Sequence, residues 1–256
     1  MSFFEILLHT EHCFLISQTT RQSVCPMIEH NDAKETMVIV ATLNEENGVG
    51  PTLTEIKGSL DNPLCLVVDG RSNDRTVEVA KECGAQILFQ KGIGKGDAIA
   101  TAIGHTKGLN VKYVAFIDAD YTYPAKYLSP MIKILEENPE IGMVCGNRLN
   151  NQLKLDVMPN VFHIGNKFLS FTHSLLNGVD LADPLTGLRV VRKEIVSNWG
   201  PKSKGFDIEV ELNHLVEKKG YRILEIPIEY RARLGEKKLA PRHGFTIFKR
   251  ILTETI

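Results

Sequence analysis

Four short apolar runs, each followed by a polar turn and then a helix-like stretch, constrain this chain most. Met37–Leu43, Leu64–Asp69, Gln86–Phe89 and Tyr113–Asp118 all have strand length and are dominated by aliphatic residues. A helix expected from about Val49 to Leu60 places Leu53, Ile56 and Leu60 on one face. Ser72-Asn73-Asp74 offers caps for a second helix carrying Val77 and Ala80, and a third is expected around Asp97–Lys107. Pro124 fits the first turn of a fourth, which stops at Asn138-Pro139 because proline cannot continue it. Strands and helices alternating at this length argue an α/β fold with a parallel, doubly wound sheet. Sheets of that kind bind ligands beyond the carboxyl ends of their strands.

Composition is that of an ordinary soluble globular protein and excludes several classes. The 256 residues are 43% hydrophobic and 24% charged, enough for one large α/β domain or two small ones. A net charge of −1 gives no electrostatic case for nucleic acid. No apolar stretch reaches the ~18–20 residues a membrane span needs. Phe3–Ile16 is apolar in patches but is interrupted by Glu5, His9, Glu11 and His12, and it lacks a basic leader, so no signal peptide is expected. The five cysteines are odd in number and show no C-x-x-C spacing. Cys65 and Cys145 read as core residues, and a reducing cytoplasm is expected. Residues 1–35 fit no periodic pattern and read as a poorly ordered extension ahead of one domain over 36–256.

Polar residues collect where the strands end. The fourth run finishes in Asp118-Ala119-Asp120. Residues two apart on a strand share a face, with Cα atoms roughly 6–7 Å apart, so both carboxylates can converge on one hard cation. Oxygen-only ligation suits Mg²⁺ or Mn²⁺, which bind through one or two carboxylates plus substrate phosphates. The first strand leads into Thr42-Leu43-Asn44-Glu45 and the second into Asp69-Gly70-Arg71-Ser72-Asn73-Asp74. Asn44, Glu45 and Asp69 can hydrogen-bond a base edge and ribose hydroxyls. After the third strand, Lys91-Gly92-Ile93-Gly94-Lys95-Gly96-Asp97 permits close backbone approach next to a helix N-terminus, a setting that favours phosphate. It is not a Walker loop, because no G-K-[S/T] is present, and no G-x-G-x-x-G follows the first strand. The set reads as a nucleotide-diphosphate site.

The ordered motifs resemble the family-two inverting glycosyltransferases of GT-A fold, and among them the dolichyl-phosphate mannosyl- and glucosyltransferases. The resemblance runs from about Met37 to Leu252. It rests on Ala41-Thr42-Leu43-Asn44-Glu45, Val68 to Asp74, Asp118-Ala119-Asp120, Gly146-Asn147-Arg148, Asp183 to Arg189, and Tyr230 to Leu239. Three positions depart from the pattern. Ala41 stands for the usual proline, Gly70 for a second acid, and Gly-Glu-Lys-Lys-Leu for Gly-Lys-Ser-Lys-Leu. The resemblance implies a mostly parallel, mixed sheet flanked by helices in one domain. Its nucleotide-sugar half would cover about 36–123 and its acceptor half about 124–256, without the C-terminal membrane helices some relatives carry.

Carried over by position, the resemblance implies that Thr42, Asn44, Glu45, Asp69, Lys91 and Asp97 hold the nucleotide of a GDP- or UDP-hexose. Asp118 and Asp120 would hold Mg²⁺ or Mn²⁺ on its diphosphate. Asp183 falls where related enzymes place a catalytic acid residue. Arg148 and Arg189 fall where positive charge gathers around an acceptor phosphate, and Arg233 falls beside the diphosphate. The acceptor implied is a polyprenyl (dolichyl) phosphate met at the cytoplasmic membrane face, and the alternative is a soluble or glycan acceptor. Two segments bear on that choice. Met158–Leu181 has apolar residues at helical spacing, among them Phe168, Phe171 and Leu175, which suit either a core helix or one lying at a membrane surface. The basic stretch Arg242–Arg250 could lie at an anionic surface, making the contact peripheral.

Overall fold

In a computed structural model of the chain, the structure describes residues 35–149, 160–236, 238 and 243–254, with side chains omitted for 160–167 and 177. The extension expected over residues 1–35 falls almost wholly outside this set, as do Arg242 and the start of the Met158–Leu181 segment. The elements in order are β1 (Thr36–Thr42), α1 (Glu46–Ser59), β2 (Leu64–Asp69), α2 (Thr76–Glu82), β3 (Gln86–Phe89), α3 (Lys95–His105), β4 (Tyr113–Asp118) and α4 (Leu128–Glu137). They continue as β5 (Ile141–Asn147), α5 (Asn160–Asn177), β6 (Arg189–Arg192), α6 (Lys193–Val196), α7 (Ile208–Lys218), β7 (Arg222–Pro227) and α8 (His243–Glu254).

All seven of these strands fall in one sheet ordered β3-β2-β1-β4-β6-β5-β7, in which β6 alone runs antiparallel to its neighbours β4 and β5. The alternation of β1 explains the layers. Val38 and Val40 face a core with Leu53 and Ile56 of α1 and Leu128 and Met131 of α4. Met37 and Ile39 face the other, with Ile99 and Ile103 of α3 and Ile208 and Leu212 of α7. Covered on both faces, the central strands read as continuous apolar runs instead of alternating ones. A third cluster joins Leu169 of α5, Val210 of α7, and Ile247 and Ile251 of α8.

Register brings the strand ends level. Thr42 lies opposite Asp69, Asp69 opposite Phe89, and Ala41 opposite Asp118. The chain winds outward from β1 to β2 and β3, then returns to place β4 on the other side of β1. That is a topological switch point, where open α/β sheets form their ligand crevice. Gly48, in the first turn of α1, permits the close approach this needs: a Cβ there would lie 2.4 Å from the Ala119 carbonyl oxygen.

Candidate active site

The acid pair lies on the wall of a cavity of about 480 Å³ at the switch point, bounded by the ends of β1, β2 and β4 and by parts of the later chain. Asp118 accepts from the Lys95 ammonium through Oδ1 at 2.6 Å, while its Oδ2 lies over Gly187, where a Cβ would approach within 2.3 Å. Asp120 accepts through Oδ1 from the Thr122 amide (3.1 Å) and hydroxyl (2.6 Å), and pairs through Oδ2 with Arg233 at 2.9 Å. Burial works to raise the Asp118 carboxyl, but Lys95, joined by Arg233 and Arg148, holds the group below the ordinary range. Burial and then the neighbouring Asp118 charge push Asp120 the other way. The two carboxyls are thus driven in opposite directions.

Arg233 belongs to a strap, residues 230–236, laid over the acid loop. The Arg231 amide donates to the Thr122 carbonyl (2.9 Å) and the Leu234 amide to the Asp120 carbonyl (3.0 Å). The Arg233 guanidinium reaches both Asp120 and Glu45 Oε1 (2.8 Å), and Lys238 reaches the same Glu45 oxygen at 2.5 Å. Glu45 is only 4% exposed, and burial raises its carboxyl against the pull of Lys238 and Arg233. Its Oε2 and the Arg233 Nε are buried and unpartnered among the described residues, so polar capacity is left at the cavity wall.

Several residues expected to touch nucleotide hold the loops together. Asp69 accepts from the Ser72 amide (2.8 Å), the Ser72 hydroxyl (2.6 Å) and Thr42 Oγ1 (3.0 Å). Asn44, at a φ of 50°, accepts from the Asn73 amide at 2.8 Å. Asp97 accepts from the Gly92 amide at 2.7 Å and so closes the glycine loop. Lys91 is exposed and is not part of the cavity wall. The glycines do permit close approach, but by the protein's own backbone: a Cβ on Gly94 or Gly96 would lie 2.2 Å from a carbonyl oxygen of Lys204 or Ser203. Thr42 and Glu45 remain on the cavity wall, joined by Gly70, Gln90 and Ile93.

The acceptor-side set divides in the same way. Arg148 meets Asp183 in a bidentate pair, Nε to Oδ2 and Nη2 to Oδ1, both 2.7 Å, with its own amide on Oδ2 at 3.0 Å. Asp183 is fully buried and Arg148 lines the cavity beneath the Tyr230 ring, 5.4 Å from its centroid. Both Asp183 oxygens are thus engaged by the guanidinium. Arg189 requires a correction. It is 1% exposed, and its guanidinium donates to the Thr186 carbonyl (2.8 Å), the Pro184 carbonyl (2.5 Å) and Asn213. A side chain so enclosed braces the 183–187 loop and offers nothing to an acceptor phosphate.

Sequence reasoning missed Lys95, Glu209, Glu225 and Lys238. Glu225 accepts from the Ala182 amide (2.8 Å) and the Asp183 amide (2.7 Å), fixing the loop that carries Asp183. Lys95 stands first in α3, an end where the helix dipole disfavours a cation, and that mismatch was the available signal. Within the Met158–Leu181 segment, Asn160–Asn177 forms α5, whose apolar residues are split between two environments. Leu169 packs inward, whereas Phe168, Phe171 and Leu175 are 57%, 67% and 69% exposed. Phe245 of α8 is 75% exposed, and Phe248 meets Phe168 with ring centroids 5.8 Å apart. In the basic stretch, Arg250 is spent on Asp207 (3.0 Å) and Glu254 (3.3 Å), so only Lys249 of that helix stands out as an exposed cation.

The acid pair fits a hard divalent cation. Among the described residues no group of three or more His, Cys, Asp or Glu side chains forms a complete metal cage. A cation on Asp118 and Asp120 would therefore complete its shell with phosphate oxygens and water, the habit of Mg²⁺. No helix among the described residues is long and apolar enough to cross a membrane.

Comparison with known proteins agrees with this geometry. Residues 37–200 match the family model for glycosyl transferase family 2. A dolichyl-phosphate hexose transferase of Haloferax volcanii is 31% identical over 209 residues, covering 81% of this chain and 87% of that protein. The low-salt glycan biosynthesis hexosyltransferase Agl6 of the same organism is 30% identical over 79% of this chain, which spans about half (49%) of that relative's length. A dolichol-phosphate mannosyltransferase of Pyrococcus furiosus is 28% identical over 83% of this chain and 60% of its own. Among solved structures, glucosyl-3-phosphoglycerate synthase from Mycobacterium tuberculosis, crystallised with Mn²⁺, UDP and glucosyl-3-phosphoglycerate, superposes with a TM-score of 0.66. It is 18% identical and covers 87% of this chain and 80% of its own. With strand order, switch-point cavity and acid pair in place, the chain belongs to glycosyl transferase family 2, a glycosyltransferase of GT-A fold.

Proposed function

We propose that the protein transfers a hexose from a GDP- or UDP-linked donor to a polyprenyl (dolichyl) phosphate, as a peripheral enzyme at the cytoplasmic membrane face. One observation carries the reading. The cavity that holds the acid pair has a far wall of Leu185, Phe206 and Ile247, and those residues pack in the same cluster as Leu169 of α5 and Phe248 of α8. From there the apolar surface runs outward to Phe168, Phe171, Leu175 and Phe245. An anion site opening onto an exposed apolar ridge suits an acceptor with a phosphate head and a hydrocarbon tail. The free thiols of Cys83 and Cys145 suit a reducing compartment.

In this reading an acceptor phosphate oxygen forms a bond to the anomeric carbon as the bond to the nucleoside diphosphate breaks and the diphosphate leaves with the electron pair. The acceptor is already ionised at neutral pH, so no strong base is required, which matches an Asp183 engaged with Arg148. Arg148 orients the acceptor, with Glu225 and Arg189 bracing the loop behind it. Asp118 and Asp120 would hold the divalent cation, whose chemistry when bound is to neutralise charge developing on the leaving diphosphate. The test is co-sedimentation with anionic liposomes, expected to weaken at high salt and in the Phe168→Ser/Phe171→Ser double variant. That variant should lose more activity on a long polyprenyl phosphate than on a short soluble analogue. Equal loss on both would instead favour the soluble acceptor.

A further inference from the structure

The acid pair is flanked by ion pairs arranged in a chain of alternating charge. On one side Glu209 meets Lys95 at 2.7 Å and Lys95 meets Asp118 at 2.6 Å. On the other, Asp120 meets Arg233 at 2.9 Å and Arg233 meets Glu45 at 2.8 Å. Each prospective metal ligand therefore already carries a cation, and each of those cations has a second carboxylate behind it. The Lys95 side chain is 17% exposed and that of Glu209 is 8%. Much local structure maintains the arrangement. The Gly96 amide donates to the Lys204 carbonyl at 3.0 Å, and the Glu211 carboxylate accepts from the Lys202 and Ser203 amides at 2.8 and 2.7 Å. These contacts seat α3 against the segment entering α7, opposite Asp118.

A simple pin between α3 and α7 would need only the Lys95–Glu209 contact. The second contact aims the ammonium at an oxygen that a divalent cation also requires. A cation arriving alone has to displace Lys95 from Asp118 and Arg233 from Asp120, with nothing to receive the released charges except the carboxylates behind them. A cation arriving with a nucleoside diphosphate brings the anionic oxygens to which those groups can turn.

We propose that Lys95, held by Glu209, is a charge-handover residue: without nucleotide it occupies Asp118 and opposes loading of a lone divalent cation, and it turns to the donor diphosphate when cation and nucleotide enter together. The inference rests on the nucleotide-sugar reading of the site. It is tested by titrating the full chain with Mn²⁺ alone and with Mn²⁺ plus UDP or GDP, in wild type, Lys95→Met and Glu209→Gln, with thermal unfolding recorded for each. Lys95→Met should bind Mn²⁺ alone about tenfold tighter and the Mn²⁺–nucleotide pair about tenfold weaker, the size of one charge-assisted hydrogen bond. A merely structural lysine would move both affinities the same way, and that result, or an unchanged Mn²⁺ affinity, overturns the proposal. If Lys95→Met does not fold, Glu209→Gln decides. It leaves Lys95 committed to Asp118, so Mn²⁺ alone should bind several-fold more weakly than to wild type, and equal or tighter binding overturns the idea. A wild-type protein that binds neither nucleotide with Mn²⁺ overturns the underlying reading as well, whereas wild-type binding with no crossed effect removes the Lys95 assignment only.

Discussion

Replacing Asp183 with Asn removes one charge from a fully buried pair while nearly preserving its shape. Arg148 then loses its counter-ion, with the guanidinium side chain only 12% exposed. Breaking a buried pair by neutralising one partner costs about 3–5 kcal/mol, and the small exposure of Arg148 favours the lower end. For a domain of this size each kcal/mol lowers Tm by roughly 2–4 °C, so Asp183→Asn should melt about 6–12 °C below wild type yet stay folded at 20 °C. The catalytic consequence follows from both carboxylate oxygens resting on Arg148. If Asp183 works only by aiming Arg148 at the acceptor, Asp183→Asn and Arg148→Ala should each slow transfer by roughly one to two decades. The double variant should be no slower than the worse single. Transfer rates measured at 20 °C on all four proteins, with folding verified by circular dichroism, complete the cycle. Losses that multiply would show Asp183 acting independently, as a proton acceptor, and would refute the argument.

Two further outcomes follow from residues outside the reacting groups. Arg189→Met should lower stability by several kcal/mol, because the Thr186 and Pro184 carbonyls and Asn213 lose their buried partner, while nucleotide affinity of the folded protein is unchanged; a selective loss of nucleotide or acceptor affinity would return Arg189 to the substrate. His173 is fully buried, and burial, then His214 and Arg189, depress its pKa from 6.5 to about 4. The unfolded chain therefore binds the extra proton between those values. Stability from this group is complete above pH 6.5 and is lost as pH falls toward 4, by about 3 kcal/mol in all. His173→Gln should flatten the Tm–pH curve in that window, and an unchanged slope would contradict the assignment.

The first half of the domain was legible because its central strands β1, β2 and β4 are buried on both faces. β2, β3 and β4 begin and end where their apolar runs do, and the polar strand ends come level because parallel register aligns them. The second half of the domain was less legible. β6 has only four residues, two of them arginines, and its antiparallel insertion between β4 and β5 is a long-range pairing that no local pattern announces. The run Ile208-Glu209-Val210-Glu211-Leu212 alternates like a strand but lies in α7, where Glu209 and Glu211 are buried with Lys95 and the 202–203 backbone as partners. Residue type misleads for the same reason at Arg189. A guanidinium reads as a phosphate ligand until the carbonyls that enclose it are in view. Asp69 and Asn44 show the converse, polar residues at the expected places whose hydrogen bonds are consumed in shaping the loops.

The central claim is tested most directly by incubating the purified protein with labelled GDP- and UDP-hexoses and dolichyl phosphate, with Mg²⁺ or Mn²⁺ and again in EDTA. The account expects one labelled sugar to appear as a lipid-extractable dolichyl-phosphate hexose, to vanish in EDTA and return on adding metal, and to be absent with Asp120→Ala. Undiminished transfer in EDTA, or label passing only to water-soluble acceptors, would contradict it.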